Sequence, residues 1–215
     1  MMKNYLSILF ILFAFNLTLS QTTVTENFDS DTNGKEYDLS SESTPSGFWN
    51  GSDDDSSGYG WEIQDGETPS NNTGPQGAYN GSYYAFCETS GGGSNETFIL
   101  ESDTYSATST TMSFYYHMHG ETIGILYVDG STNGGASWDT TLLTISGEQQ
   151  ENKTDSWVQV TSGSGSFSAI PSSTNKLRIR YASGASYTGD AAIDQIVVTY
   201  SSGPSISVGS AISGL

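Results

Sequence analysis

Hydrophobic and polar residues alternate in short segments along most of this chain, and no window shows sustained helical periodicity. Clusters of Gly, Asn, Asp and Ser separate the segments. Alternation with a period of two residues, interrupted by turn formers, is typical of antiparallel strands. We therefore predict an all-β fold with strands at 82–88, 97–101, 111–119, 124–129, 141–145, 157–161, 176–181 and 191–200. Residues 34–75 are predicted to be rich in loops.

The predicted strand 111–119 shows the alternation most clearly. Its apolar side chains share one face and are expected in the core: Met112, Phe114, Tyr116 and Met118. The other face has polar and aromatic side chains: Ser113, Tyr115, His117 and His119. Because tyrosine and histidine suit contacts with a sugar or a peptide, Tyr115, His117 and His119 are predicted ligand contacts. A catalytic zinc site is not expected there, because no third His or suitable Cys is present to complete a tetrahedral set.

Aromatic residues also occur in segments that we expect at the surface: Trp49, Tyr59, Trp61, Tyr79 and Tyr187. Flat aromatic faces can stack on carbohydrate rings, so these residues are candidates for a glycan platform. Trp49 joins the predicted ligand contacts on this ground. Packing in the core explains Trp61 equally well, and packing against a turn is the alternative for Trp49.

The first 20 residues have the layout of a secretory signal peptide. Lys3 is followed by an apolar run at residues 6–15, and the small residues Thr18 and Ser20 precede Gln21. This layout predicts cleavage after Ser20 and export to the extracellular space or the cell surface. A retained membrane anchor is the alternative, but the apolar run is well short of the ~20 residues that span a bilayer.

The chain is strongly acidic, with 24 Asp and Glu against six Lys and Arg and a net charge of −18. Such a chain repels nucleic-acid backbones and anionic lipids, so neither is an expected partner. Carboxylates are, in contrast, ligands that Ca²⁺ prefers. A soluble acidic surface explains most of the charge without any ligand.

Cys87 is the only cysteine, so the chain cannot form an internal disulfide. Exported eukaryotic domains usually have disulfides, so we predict a bacterial secreted protein and expect Cys87 in the core.

Catalytic sequence motifs are also missing. No Ser lies in a Gly-x-Ser-x-Gly elbow, and the Gly-rich run at 91–94 lacks the Lys of a phosphate loop. We therefore do not expect an enzyme within these residues.

Four stretches of the chain stand out when they are taken in order. The first is Asn27-Phe-Asp29-Ser-Asp31, and the second runs from Gly58-Tyr-Gly-Trp61 to Gly81-Ser-Tyr-Tyr-Ala-Phe-Cys-Glu88. The third is Met112-Ser-Phe-Tyr-Tyr-His-Met-His-Gly120, followed by Ile123-Gly-Ile-Leu-Tyr-Val128. The last includes residues 143–147, Trp157 and Gly189-Asp-Ala-Ala-Ile-Asp-Gln-Ile196. Together they resemble a MAM domain, an extracellular jelly-roll sandwich of adhesion receptors and secreted proteases.

The resemblance spans roughly residues 26–200 and implies one antiparallel β-sandwich of jelly-roll type. It also implies a non-catalytic module whose partner is an extracellular protein or a glycan, with cell-surface association and self-association as further properties. Animal members commonly have paired cysteines, but here the residue before Met112 is Thr111 and the residue directly after Phe28 is Asp29, so neither position has a Cys. Stability must then come from the core, from calcium or from both.

Carboxylates near both ends of the sandwich predict a divalent or sodium ion that joins the first strand to the last. The predicted ligands are Asp29, Asp31, Glu88, Asp190 and Asp194, with Ca²⁺ as the expected structural ion. The alternatives are that Asp190 caps a turn and that Asp29 accepts backbone N–H groups of the adjacent loop. The family usually has Asp-Asp-Ile where this chain has Asp194-Gln195-Ile196, so one possible ligand is missing from the sequence.

We predict three segments: a signal peptide at 1–20, a MAM-like sandwich at 21–200, and a linker with the start of a further domain at 201–215. A break at residues 201–204 and an alternating run without partner strands at 205–215 support the third segment. The predicted function is a non-catalytic adhesion or recognition module, part of a larger secreted or surface protein. Two alternatives stay open: a carbohydrate-binding module that targets a secreted hydrolase, and the N-terminal part of a secreted peptidase or nuclease.

Overall fold

The computed structural model describes residues 16–18, 20–30, 36–37, 44–53, 58–203 and 205–207. Every regular element in this part of the chain is a β-strand. The strands are β1 (Asn16–Thr18), β2 (Gln21–Glu26), β3 (Glu36–Tyr37), β4 (Trp49–Asp53), β5 (Trp61–Asp65), β6 (Tyr83–Phe86), β7 (Thr97–Ser102), β8 (Ser109–His117), β9 (Ile125–Ser131), β10 (Thr140–Ser146), β11 (Val158–Thr161), β12 (Lys176–Ala182), β13 (Ala192–Ser201) and β14 (Ser205–Ser207). None of the described residues belongs to a helix that is long and apolar enough to cross a membrane.

Two antiparallel sheets face each other. The larger sheet has seven strands, in the order β11-β8-β13-β6-β5-β3, with β2 also paired to β13. The smaller sheet has five strands, in the order β10-β9-β12-β7-β4. Most neighbouring strands are distant in sequence, as in a jelly roll. The predicted all-β antiparallel sandwich is therefore confirmed. β1 and β14 form a separate antiparallel pair, so residues 205–207 have a partner strand, contrary to the expectation for 205–215.

The core lies between the two sheets, because alternate residues of the facing strands are apolar. On β8 the side chains of Met112, Phe114 and Tyr116 enter this core, as predicted. Cys87 is also buried in it, as expected. Trp61 lies in the core as well, which decides between its two interpretations.

Trp49 is a core residue and not a surface one. Its exposed fraction is 0%, and its ring packs edge-on against Phe48 with 5.7 Å between the ring centroids. Trp49 begins β4, and pairing of this strand with β7 turns the indole toward the larger sheet. The prediction that Trp49 contacts a ligand is therefore wrong.

All eight predicted strands are present, with ends that differ by a few residues. The segment at residues 34–75, expected to be rich in loops, also contains three short strands, β3, β4 and β5. On β5 the inward residues Trp61 and Ile63 alternate with polar ones, but this strand is short and lies among turn-forming residues. Within the predicted signal peptide, residues 1–15 and 19 lie outside the described residues, as do residues 204 and 208–215 of the predicted further domain.

Two long loops lie over the outer face of the larger sheet. The 66–82 loop joins β5 to β6, and the 147–157 loop joins β10 to β11. The indole N–H of Trp157 donates to the carbonyl of Gly77 at 3.2 Å and so connects the two loops. This outer face is therefore partly covered by the chain itself.

The 66–82 loop also reaches the end of β8. Thr73 forms an isolated β-bridge with Gly120 just beyond that strand. Gly120 has a φ of 144°, and a Cβ there would lie 2.3 Å from the carbonyl oxygen of Thr188. Only glycine permits this close approach of the backbones.

Candidate ligand-binding cleft

The two loops enclose a polar cleft above the larger sheet. One part is a cavity of about 440 Å³ lined by Asn71, Asn72, His119, Glu151, Asn152, Lys153 and Thr154. The adjoining part, of about 330 Å³, is lined by Gln76, Gly77, Ala78, Lys153, Thr154, Asp155 and Trp157. Lys153 and Thr154 line both parts, so the two cavities adjoin, and we call them together the cleft.

Lys153 joins the two walls of the cleft. Its ammonium forms an ion pair with Glu67, and its backbone carbonyl accepts the N–H of Gln76 at 2.9 Å. An exposed ion pair adds little to stability. The backbone hydrogen bond and the Trp157–Gly77 contact therefore position the two loops more than the charges do.

His119 lies at one end of the cleft, and its role as a ligand contact stays a prediction. Its Nδ1 atom is 3.0 Å from Oε1 of Glu148 and 3.1 Å from the carbonyl of Gln150. The same Glu148 oxygen accepts the backbone N–H of Gly120 at 3.0 Å. These contacts fix the orientation of the ring, and 14% of the side chain remains exposed to a ligand.

His117 is fully buried beneath the loops, so it cannot contact a ligand directly. Its ring lies edge-on to Trp157, with 5.7 Å between the centroids. Burial, and then the nearby His119, lower the pKa of His117 to about 4, although the Asp155 and Asn152 carbonyls oppose this shift. The carbonyls of Asp155 and Asn152 lie near the ring, but within the described residues neither ring nitrogen has a hydrogen bond of good geometry. The prediction of a ligand contact is wrong here because the outer face of β8 is itself covered.

Tyr115 stacks on Tyr79 at the edge of the same surface. The ring centroids are 3.4 Å apart, with 14° between the planes. Tyr79 is 42% exposed and directly follows Ala78, which lines the cleft. The predicted contact residue Tyr115 thus lies in an aromatic pair that extends the cleft along the sheet.

Asp29 and Asp194 meet at the turn before β6. Oδ1 of Asp29 accepts the backbone N–H groups of Ser82 at 2.7 Å and Tyr83 at 3.2 Å. Oδ2 of Asp194 accepts the backbone N–H of Asn80 at 3.1 Å. Burial is the main cause that raises the pKa of Asp194 to about 7, and the charge of Asp29 adds to it. Asp29 therefore has the role that we gave as its alternative, an acceptor for backbone N–H groups.

Glu88 and Asp190 form a second pair at the turn after β6. Oδ1 of Asp190 accepts the backbone N–H of Thr89 at 3.0 Å and its hydroxyl at 2.8 Å. Its other oxygen, Oδ2, is buried without a hydrogen-bond partner among the described residues. Burial, and then the charge of Glu88, raise the pKa of Asp190 to about 7. The turn contact agrees with the alternative role of Asp190.

The predicted cation ligands thus form two pairs and not one cluster. From Asp190 to Asp194 the strand rise alone gives about 13 Å. Asp31 lies outside the described residues. Within the described ranges, no group of three or more His, Cys, Asp or Glu is suited to a metal. Because Ca²⁺ takes about six to eight oxygen ligands, neither pair completes a site with its carboxylates alone, and calcium stays a prediction.

A model of one protein family matches most of the sandwich. The family is the MAM domain (meprin/A5/mu), and the match covers residues 40–202, well over half of the chain. The chain belongs to the MAM domain family. The family match agrees with the resemblance in the sequence motifs, and the matched range includes the residues of the cleft.

Neuropilin-1a of Danio rerio is 37% identical to the chain over 99 residues. That match covers 43% of this chain and 11% of neuropilin-1a, so it corresponds to a small part of that protein. Among solved structures, the K2 adhesin domain of Lys-gingipain has a TM-score of 0.59 at 20% identity, with 82% of this chain and 99% of that chain covered. The K1 domain, from Porphyromonas gingivalis W83, has a TM-score of 0.57 at 17% identity, with coverages of 82% and 97%. These structures show the fold.

The cleft is the feature that the sequence does not predict. Its walls come from the 66–82 and 147–157 loops, which are far apart in the chain. The sequence places Trp157 only at the start of a strand, although the ring covers His117 and connects the loops. The one available signal is the group of amides at Asn71, Asn72 and Asn152, because exposed amides in loops are common at binding sites.

Proposed function

We propose that this MAM domain is a non-catalytic recognition module that acts outside the cell and binds an extracellular protein or a glycan. The observation that supports this most is the cleft between the two loops. Asn71, Asn72 and Asn152 are exposed along it. An amide group both donates and accepts hydrogen bonds, so it can pair with sugar hydroxyls or with peptide groups.

The remaining lining of the cleft is suited to recognition. Trp157 provides part of an aromatic wall, and its N–H is already bound to Gly77. Lys153 and Glu151 supply one charge of each sign. A ligand would thus meet polar groups held in place by loop contacts and a short apolar surface, as in many small binding sites.

The residues that are the strongest candidates for catalysis lie in environments that suit a structural role. Burial raises the pKa of the Cys87 thiol well above its usual value, so the thiol stays protonated. His117 is buried, and its pKa of about 4 keeps it neutral near pH 7. Asp190 and Asp194 accept backbone hydrogen bonds. These environments support binding and not catalysis as the role of this domain.

Export is part of the proposal. The signal-like residues 1–20 support it, and so does the extracellular setting that MAM domains share. Attachment to further domains, and with it any peptidase or nuclease activity of a parent protein, rests on the predicted linker at 201–215. Adhesion between cells or self-association would use this module as the contact surface.

A carbohydrate-binding module is the second candidate, and the Tyr79–Tyr115 stack favours it. The stacked pair offers a flat, exposed aromatic face beside the amide-lined cleft. Such a face can pack against a sugar ring. If the ligand is a glycan, Tyr79→Ala should weaken binding at least as much as a cleft variant, whereas a protein ligand need not touch this pair.

The test uses the full chain, exported with its own leader and purified from the medium. Binding is measured on cell surfaces, on extracellular-matrix proteins and on a glycan array. Asn71→Ala should weaken the strongest interaction roughly tenfold. Gln21→Ala is the matched control, because Gln21 also has an exposed amide but lies far from the cleft. It pairs with Ser201 of β13, which in turn pairs with Ser109 at the opposite end of β8. Binding that is equal in both variants, or no binding on any surface, would overturn the proposal.

A further inference from the structure

Strand β12 has a basic face on the outer side of the smaller sheet. Lys176, Arg178 and Arg180 alternate along this strand and therefore share one face. They are three of only six Lys and Arg in a chain with a net charge of −18. A concentration of cations on one strand of so acidic a protein identifies this face as a candidate for anion recognition.

Asp129 holds both arginines in place. Its Oδ2 atom accepts Nε–H from Arg178 at 2.9 Å and from Arg180 at 3.2 Å. Its Oδ1 atom accepts the hydroxyl of Thr141 at 2.9 Å. The Asp129 side chain is only 3% exposed, so this carboxylate lies beneath the guanidinium groups and is not itself open to a ligand.

Aromatic rings fix the planes of the two guanidinium groups. The Arg178 guanidinium carbon is 4.4 Å from the centroid of Trp138, and that of Arg180 is 3.9 Å from the centroid of Tyr127. With Nε bound to Asp129, the terminal Nη groups of each arginine make no hydrogen bond to the described residues. The side chains keep 16% and 22% exposure. Within the part of the chain that the structure describes, each arginine therefore has an oriented set of unpaired Nη donors.

The charge of this patch limits what can bind to it. Lys176 pairs with Glu101 at 2.5 Å, so three cations are matched by the two carboxylates of Glu101 and Asp129. One positive charge remains. This suits a ligand with a single carboxylate better than a polyanion, which the rest of the acidic surface would repel.

We propose that Arg178 and Arg180 bind the carboxylate of an acidic sugar within an otherwise neutral glycan. Paired N–H donors in a planar fork match the two oxygens of a carboxylate. The hydroxyl of Thr144 lies beside Tyr127 on the neighbouring strand and is exposed to hydrogen-bond with the sugar. The Tyr127 and Trp138 rings border the arginines and supply apolar surface for the sugar ring.

A glycan fits this face better than an acidic peptide does. Strand β12 is central in the smaller sheet, with β9 on one side and β7 on the other. Its backbone is therefore paired on both sides and cannot add a peptide as a further strand. The cleft lies over the larger sheet, between two loops. The β12 face belongs to the smaller sheet, where a ligand would lie on the sheet surface itself.

This inference goes beyond the proposed function and does not depend on the cleft, which belongs to the other sheet. The probe is cellobiouronic acid. Cellobiose is the control compound, because the two differ only in the carboxylate. The readout is an NMR titration of the full chain that follows the arginine Nε–H signals. Cellobiouronic acid should shift the Arg178 and Arg180 signals saturably, and cellobiose should shift them little or not at all.

Three variants locate the interaction. Arg178→Gln should weaken cellobiouronic acid binding roughly tenfold or more, since charged hydrogen bonds are lost. Arg178→Lys keeps the charge but not the planar fork, and should weaken binding nearly as much while the melting temperature stays close to that of the parent. Lys153→Gln removes one positive charge at the cleft and should leave this affinity unchanged. Asn71→Ala should also leave it unchanged, which separates this site from the proposed function.

Several results would overturn the proposal. Equal binding of cellobiose shows that the carboxylate is not recognised. Absence of binding by the acid shows that the arginines act only in sheet stability. A blocked tripeptide with one glutamate that binds more tightly, and with the same dependence on Arg178, identifies a peptide and not a glycan as the occupant.

Discussion

The Asp29 carboxylate lies directly against the backbone of Gly81. A Cβ at position 81 would be 2.0 Å from Oδ2 of Asp29, and Gly81 has a φ of 76°. This contact lets Asp29, just after β2, bind the turn that begins β6. A carboxylate and a glycine that are far apart in sequence thus join the end of β2 to the turn before β6.

Gly81→Ala should therefore destabilise the protein more than an ordinary glycine substitution. Gly147→Ala is the matched control, because Gly147 has a similar φ of 73° but a Cβ there would meet nothing within 4 Å. We expect a loss of about 1 kcal/mol for Gly147→Ala and at least twice that for Gly81→Ala. Urea unfolding measures both. Equal losses would show that the Asp29 carboxylate moves away at little cost.

Asp194 should make the protein less stable as the pH rises. Its pKa is about 7 in the folded state because burial disfavours the charged form, whereas its ordinary value is 3.8. Between these values the unfolded chain is ionised and the folded carboxyl is not, so stability falls with rising pH. The slope should be at most about 1.4 kcal/mol per pH unit. In Asp194→Asn, measured in EDTA, this contribution should disappear, and an unchanged slope contradicts the account.

His117 should have the opposite effect at acidic pH. Its folded pKa of about 4 lies below the ordinary 6.5, so the folded ring stays neutral while the unfolded ring takes up a proton. Stability contributed by the neutral ring is therefore lost as the pH falls from about 6.5 to about 4. His117→Phe removes the titrating group and should flatten this part of the profile. Melting temperatures of the variant and parent across that range provide the comparison.

Calcium should stabilise the chain if the Glu88–Asp190 pair holds an ion. The buried Oδ2 atom of Asp190 lacks a hydrogen-bond partner among the described residues and is therefore free to bind a cation. About 1 mM Ca²⁺, in the affinity range of extracellular modules, should raise the melting temperature more at pH 8 than at pH 5, where Asp190 is protonated. Glu88→Gln should reduce the effect. An identical melting temperature in Ca²⁺ and in EDTA would remove the calcium prediction.

The fold was predictable from the sequence where strands alternate over several residues. On β8, the alternation from Met112 to Tyr116 assigns the core face correctly. Trp49 was not predictable, because the adjacent aromatic residues Phe48 and Trp49 lie between Gly47 and Gly51 and show no alternation with polar residues. Its side of the sheet depends on the pairing of β4 with β7, which brings together residues about fifty positions apart.

The site was only partly predictable. Alternation along a strand shows which face of the sheet a side chain is on, but it does not show whether that face is exposed to solvent. His117 and His119 share the outer face of β8, yet the loop residue Trp157 covers the first and leaves the second in the cleft. The acidic residues illustrate the same limit. Asp29 does meet Asp194, as expected for a contact between the first and last strands, but Asp190 lies with Glu88 at another turn.

The most direct test of recognition through the cleft is hydrogen exchange of the full chain, with and without the ligand selected on the arrays. Bound ligand should slow exchange in the 66–82 and 147–157 loops, because their backbones flank the cleft. Exchange in β12 should change little unless the ligand also has an acidic sugar. Protection that avoids both loops while the ligand is bound would contradict the account.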